Sequence, residues 1–290
     1  DPAEHDARID QLERLFARPV DVPAPDDAAP TPIFIVGMPR SGTTLLEAAV
    51  SAHSAVSAGG ELPLLPFIVE ECLDWAKESG WAGGVLPEDK RREWRRRYLA
   101  QYDTFKIPPA RFVTDKQPSN FLAVGLIRQL FPDAPVLHIR RNPVETGFSI
   151  FRRNFSQQWA FADRQEDIAH YYARYGRIMA HWDHAHPGAS AFVQYETLVD
   201  RFESELRRLL DAAGLGFEPE CLEFYRVERP VMTFSAVQVR RPPSPEHKFS
   251  TGPYSARLEP LRRALEQAGV DLNTGAPRES RRFTEVRGVF

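Results

Sequence analysis

Residues 33–44, IFIVGMPRSGTT, place Gly37 and Gly42 on either side of four residues and follow them with Thr43 and Thr44. That spacing matches, in all but one residue type, a nucleotide loop, G-x-x-x-x-G-K-[ST], in which main-chain N–H groups cradle phosphates, a Lys reaches the terminal phosphates and a hydroxyl holds Mg²⁺. Thr43 stands where the Lys belongs, and Arg40 and Ser41 come just before Gly42. A strand-like run that feeds a glycine turn and then a helix makes an anion site. The first-turn N–H groups lack intrahelical partners, and the helix dipole favours negative charge. The bland alternative is an ordinary turn between strand and helix.

Losing the Lys changes the ligand. A nucleoside triphosphatase neutralises its β- and γ-phosphates with that Lys and a Mg²⁺ shell, and Asp115 is the only nearby acidic candidate for such a shell. A ligand that brings one phosphate and one sulfuryl group to the loop tolerates Arg40 and Thr43 there. The donor 3′-phosphoadenosine 5′-phosphosulfate (PAPS) is such a ligand, needs no metal at this loop, and requires a second anion site for its 3′-phosphate. The stretch 138–149, HIRRNPVETGFS, offers one: Arg140 and Arg141 end a strand-like run, Pro143 opens a helix, and Ser149 lies about two turns along it. Arg suits planar, bidentate recognition of a phosphate, and a helical Ser can donate to the same group. Taken alone, paired arginines at a strand end also fit a solvated rim.

Together, IFIVGMPRSGTT and HIRRNPVETGFS resemble the 5′-phosphosulfate and 3′-phosphate motifs of PAPS-dependent sulfotransferases. The stretch 32–241, with GGELPLLP, TDKQPSNFL, YYARYGRIMAHW and QYETLV, is similar to bacterial sulfotransferase domains found behind tetratricopeptide repeats and to tyrosylprotein sulfotransferases. The resemblance implies a three-layer, P-loop-like α/β fold. It also implies transfer of a sulfuryl group from PAPS to an acceptor hydroxyl on a small molecule, glycan or peptide, leaving adenosine 3′,5′-bisphosphate. By the same resemblance Glu61 is the general base, Lys116 and Arg40 stabilise the departing phosphate, and Tyr195 backs the nucleotide pocket. Ser41, Gly42, Thr43, Thr44, Arg141 and Ser149 complete the donor site. Read without the family, Glu61 equally fits a carboxylate complementing a helix N-terminus, and Tyr195 a packed strand residue. The chain departs from its relatives after QVR at 238–240: RPPSPEHKFSTGPY holds no Trp to close over the nucleotide, and Lys248, Phe249 and Ser250 are the candidate substitutes. Two other classes stay open on sequence grounds. A P-loop kinase would need the missing Lys and a metal carboxylate, and a non-catalytic anion- or glycan-binding module would have no use for Glu61 and Lys116.

The elements that must position these residues alternate strand and helix. The runs at 33–36, 111–116, 134–140 and 190–195 are short and apolar, and each is followed by a helical pattern, the signature of a mostly parallel sheet with helices on both faces. Ile9, Leu12, Leu15 and Phe16 fall at helical spacing, and the Pro- and Asp-rich stretch after them reads as a linker. This divides the chain into an N-terminal helix and linker (1–30), a sulfotransferase domain (31–270) and a C-terminal tail (271–290). Longer helices are expected over 88–102 and 165–186 as walls of the substrate site, a loop over 240–254, and a last helix over 256–268. Across 290 residues the net charge is −3, which argues against a general nucleic-acid partner. The two cysteines, Cys72 and Cys221, form no metal or disulfide pattern, and no apolar run approaches the length of a membrane span. A cytoplasmic protein is the expectation. The histidines at 181, 184 and 186 are expected to sit at a helix C-terminus rather than on a metal.

Overall fold

The computed structural model describes residues 2–25, 29–152, 159–226, 242–244, 248 and 251–278. In chain order the first elements are α1 (Pro2–Leu15), β1 (Thr31–Val36), α2 (Thr43–Val50), β2 (Val56–Ala58), α3 (Leu64–Ser79), α4 (Glu88–Thr104) and β3 (Phe112–Asp115). There follow α5 (Val124–Leu130), β4 (Val136–Arg140), α6 (Pro143–Phe151), α7 (Gln165–Ala185), β5 (Ala191–Gln194), α8 (Tyr195–Asp200), α9 (Phe202–Ala212) and α10 (Glu259–Gln267).

The five strands pair in parallel in the order β2-β3-β1-β4-β5. Alternation along β1 decides what each face touches, since successive side chains point to opposite sides of a sheet. Ile33 and Ile35 join Leu46, Leu137, Ile139, Val193, Leu206 and Leu209 on the face covered by α2, α8 and α9. Phe34 and Val36 join Tyr98, Val113, Phe131, Val136, Ile178 and Trp182 beneath the helices of the other face. The sheet is thus covered on both sides, as expected of an all-parallel sheet whose strands read as continuous apolar runs. The apolar residues of α1, Ile9, Leu12, Leu15 and Phe16, belong to that second cluster. Full burial of such a side chain is worth about 1.5–3 kcal/mol.

Three local features differ from the sequence expectation. Val56–Ala58 forms an edge strand that three residues of AVSA do not announce by periodicity; its pairing with Phe112–Thr114 supplies what propensity lacks. The helix expected from Glu196 onwards is two helices, α8 and α9, broken at Arg201. The segment after Lys116 begins as a tight 3₁₀ turn, Pro118–Ala123, before α5. Helix α6 begins where the Asn142-Pro143 pair dictates. Asn142 Oδ1 accepts the N–H groups of Val144 at 3.0 Å and Glu145 at 3.1 Å, and Pro143 occupies the first turn, where its missing N–H costs nothing.

Candidate active site

Because every strand runs the same way, all five carboxyl ends lie on one edge of the sheet, where open α/β folds bind ligands. Each strand delivers one group of candidates there: β1 the loop with Arg40–Thr44, β2 Glu61, β3 Lys116, β4 Arg140 and Arg141, and β5 Tyr195.

The loop after β1 is tightly enclosed. A Cβ on Gly37 would collide with the Ile139 carbonyl oxygen. Gly42 caps α2 in the left-handed region at φ 107°, and a Cβ there would lie 2.5 Å from the Tyr195 ring. Tyr195 is therefore packed flush against the loop, which its position in the sequence does not reveal. Arg40 adopts φ 68°, a conformation that costs a non-glycine residue about 1–3 kcal/mol when held in place. Its Nε donates to Ser149 Oγ at 3.1 Å, joining the loop to α6. Thr43 and Thr44 are buried in the first turn of α2.

Beside the loop, Lys116 is fully buried and its Nζ donates to Glu61 Oε1 at 2.5 Å. The Glu61 side chain is 37% exposed, so the pair has one end in the protein and one at solvent. Glu61 lies before α3, which starts at Leu64, and so does not sit in the first turn of that helix. Behind the lysine stands Asp115. Burial pushes its carboxyl up to about 7, although Tyr98 Oη donates to it at 2.8 Å and the Gln117 N–H at 3.1 Å. Asp115 is thus a core group with both carboxylate oxygens engaged by protein donors. Among the described residues, no group of three His, Cys, Asp or Glu is placed to hold a metal ion.

On the other side, Arg141 lies with its guanidinium carbon 4.6 Å from the centroid of the Tyr195 ring. Its Nη2 donates to the Lys248 carbonyl at 3.1 Å and lies 3.7 Å from Glu145 Oε2. Glu145 Oε1 in turn accepts from Thr251 Oγ1 at 2.6 Å and the Thr251 N–H at 3.0 Å, and Lys248 Nζ donates to Asp200 at 2.6 Å. Lys248 and Thr251 are thereby strapped to the Arg141 side of the site. Phe249, Ser250 and the QVR segment at 238–240 lie outside the described residues.

The structure thus brings Arg40, Ser149, Arg141 and Tyr195 into one connected set and Glu61 and Lys116 into another, with the loop between them. Sequence reasoning missed Glu47, Thr114, Glu145 and Thr251. Glu47 left a signal, a lone charged residue one turn beyond Thr43 in TTLLEAAV; the Thr251 partner of Glu145 lies 106 residues away and left none. The fit to a nucleotide donor can be judged from the loop itself. Ser41 is fully buried and its Oγ has no hydrogen-bond partner in the structure, and beside it stand the glycine cradle and the Arg40 guanidinium, groups that can donate to an anion.

A family model described as "Sulfotransferase family" matches residues 32–219. The chain belongs to the sulfotransferase family. An uncharacterized protein of Aquifex aeolicus is 36% identical over 220 residues, which is 72% of this chain and 29% of that protein. A putative protein-tyrosine sulfotransferase of Caenorhabditis briggsae is 27% identical over 218 residues, 72% of this chain and 76% of that relative. This sulfotransferase chain therefore matches less than a third of the Aquifex protein's length and about three quarters of the nematode protein's. Among solved structures, the sulfotransferase domain from the Synechococcus PCC 7002 olefin synthase shares the fold, with a TM-score of 0.54 at 22% identity over 87% of this chain and 99% of that one. The three-layer parallel architecture is that of the family. No helix among the described residues is long and apolar enough to cross a membrane.

Proposed function

We propose that the protein transfers a sulfuryl group from PAPS to an acceptor hydroxyl, with Glu61 as general base and Lys116 and Arg40 stabilising the leaving phosphate. The observation that carries the reading is the pairing of Lys116 with Glu61 at the edge of a phosphate loop that lacks its lysine. An anion-binding module has no need of a buried lysine against a half-exposed carboxylate; a displacement reaction needs both.

The donor supplies the sulfuryl group and departs as adenosine 3′,5′-bisphosphate. Ser41, Gly42, Thr43 and Thr44 offer main-chain and hydroxyl donors to its 5′ end, and Arg141 and Ser149 offer theirs to its 3′-phosphate. Tyr195, packed on Gly42 and under Arg141, forms the wall common to both. Glu61 removes the proton of the attacking hydroxyl. Lys116 and Arg40 place positive charge where the leaving oxygen gains negative charge. In the structure Lys116 and Glu61 neutralise each other, so an anion at the loop that draws Lys116 towards itself also frees Glu61 to act as base. Residues 31–270 form the catalytic unit in this proposal, with 1–30 as an N-terminal helix and linker and 271–290 as a tail. The acceptor is a hydroxyl-bearing small molecule, glycan or peptide.

The test is a comparison of ligands by thermal shift together with a transfer assay from PAPS. Adenosine 3′,5′-bisphosphate is expected to stabilise the protein more than AMP or ATP–Mg²⁺, and transfer is expected to survive EDTA. Equal stabilisation by AMP would remove the 3′-phosphate site. Metal-reversible loss of transfer would overturn the metal-independent site, and Mg²⁺-dependent phosphoryl transfer from ATP with none from PAPS would replace this reading with a kinase.

A further inference from the structure

Glu47 lies on α2, one turn beyond Thr43 of the phosphate loop, and is 93% removed from solvent, with 7% of its surface exposed. A carboxylate in the apolar middle of a helix is costly to bury and persists only where it is hydrogen-bonded. Its Oε1 accepts from the Gly60 N–H at 3.0 Å and from Thr114 Oγ1 at 3.0 Å. The Thr114 hydroxyl in turn accepts the Gly59 N–H at 3.1 Å. The Gly60 carbonyl takes the Lys116 N–H at 2.8 Å. Four groups from α2, the 59–60 turn and β3 thus close a ring of hydrogen bonds immediately before Glu61. The turn fits only because Gly59 lacks a Cβ, which would strike the Thr114 carbonyl oxygen, and because Gly60 adopts φ 70°.

We propose that Glu47 is a positioning residue for sulfuryl transfer, holding the Gly59–Gly60 turn, and with it Glu61, in fixed register with the phosphate-loop helix. The inference rests on the function proposed above. Its physical content is rigidity: the general base directly follows a glycine pair, residues with wide intrinsic backbone freedom, and without an anchor the base would wander relative to the bound donor. A misplacement of about 1 Å can cost on the order of 10²-fold in rate. Burial raises the pKa of Glu47, and the nearby Lys116 charge opposes that shift. An amide at this position keeps the accepting oxygen without the charge, so hydrogen bonding and charge can be separated experimentally.

The experiment uses the full chain with Glu47→Ala, Glu47→Gln and Thr114→Val. Hydrogen exchange across 55–66, turnover from PAPS, and calorimetric affinity for adenosine 3′,5′-bisphosphate are measured for each. Glu47→Ala is expected to speed exchange of the Gly60 amide by about tenfold or more, since a lost anchor lowers the local opening free energy. Its kcat is expected to fall by about 10²-fold with nucleotide affinity within about threefold of wild type. Glu47→Gln is expected to restore both the slow exchange and most of the turnover. Unchanged Gly60 exchange in Glu47→Ala overturns the proposal, as does a Glu47→Gln variant as impaired as the alanine, or a loss of nucleotide affinity in step with kcat. Should Glu47→Ala not fold, Thr114→Val removes the hydroxyl that bridges Glu47 to the Gly59 N–H while leaving the Glu47–Gly60 bond; faster exchange of the Gly59 amide with a lowered kcat is then expected, and unchanged Gly59 exchange overturns the proposal. If the wild type transfers no sulfuryl group from PAPS, the proposed function fails on its own, and the exchange data still decide whether Glu47 holds the turn.

Discussion

On the β2–β3 side of the phosphate loop, Lys116 is fully buried and its charge is met at 2.5 Å by Glu61. On the β4–β5 side, Arg141 is nearly as buried, yet its guanidinium lies over the Tyr195 ring and donates to a main-chain carbonyl, with the Glu145 carboxylate at 3.7 Å. The first arrangement is a compact pair whose partners sit on neighbouring strand ends. The second is a lattice of longer contacts reaching to Lys248 and Thr251. The difference follows from the tasks proposed for each side. A compact ion pair can be exchanged for a new partner at the moment of reaction, whereas an arginine clamped by a ring and a carbonyl keeps its fork pre-oriented for a phosphate that does not change during the reaction.

Replacing Glu61 is expected to give the largest effect. Glu61→Gln keeps the size and an acceptor for Lys116 but cannot take a proton, so turnover with saturating acceptor falls by about 10²–10⁴-fold. Calorimetry should show adenosine 3′,5′-bisphosphate binding nearly unchanged. Near-normal turnover in this variant would make the two sides alike, both serving only to bind.

Lys116→Ala comes next, with turnover reduced by about 10²–10³-fold, the usual worth of one donor at a developing charge. Here nucleotide affinity should fall as well, because the ammonium meets the phosphate before and during transfer. A turnover loss without any affinity loss would confine Lys116 to the base.

Arg141→Ala tests the anchoring side and is expected to weaken adenosine 3′,5′-bisphosphate by about 1.5–3 kcal/mol, the value of a hydrogen bond to a charged group. AMP binding should barely change. If both ligands weaken equally, Arg141 supports the loop and not a 3′-phosphate.

The last test concerns stability, away from turnover and ligand binding, and the buried carboxyl behind Lys116. Asp115 titrates near 7 when folded and at about 4 when unfolded. Between those values the folded protein holds a proton that the unfolded chain has released. The contribution of Asp115 to stability therefore declines as pH rises from about 4 to 7 and is level above. Denaturant unfolding of Asp115→Asn should show that decline removed, so that the variant gains on the wild type by about 1.4 kcal/mol per pH unit through the window. Parallel curves for the two proteins would mean that Asp115 is ionised in the fold.

The glycine loop was legible because its pattern is local. Two glycines, a preceding apolar run and a following helical pattern announce a strand, a tight turn and a helix start, and the Asn142-Pro143 pair announces another helix start in the same way. Strand–helix alternation gave the parallel sheet. Where cooperation between distant segments was required, the sequence was silent. Val56–Ala58 becomes a strand only because β3 lies beside it, and the Glu196–Ala212 stretch breaks at Arg201 for no reason its helical pattern shows.

The sequence alone determined the class of fold, the glycine loop with Thr43 in place of a lysine, and which side chains had the chemistry to move a proton or meet an anion, since these depend on residue type and short spacing. Only the tertiary structure decided that Lys116 is a buried lysine facing Glu61, that Tyr195 is pressed between Gly42 and Arg141, and that Glu47 ties the Gly59–Gly60 turn before Glu61 to the loop helix. The reason is geometric. Parallel strands carry residues from positions 40, 61, 116, 141 and 195 to a single edge, and burial and pairing there are set by neighbours that lie far away along the chain.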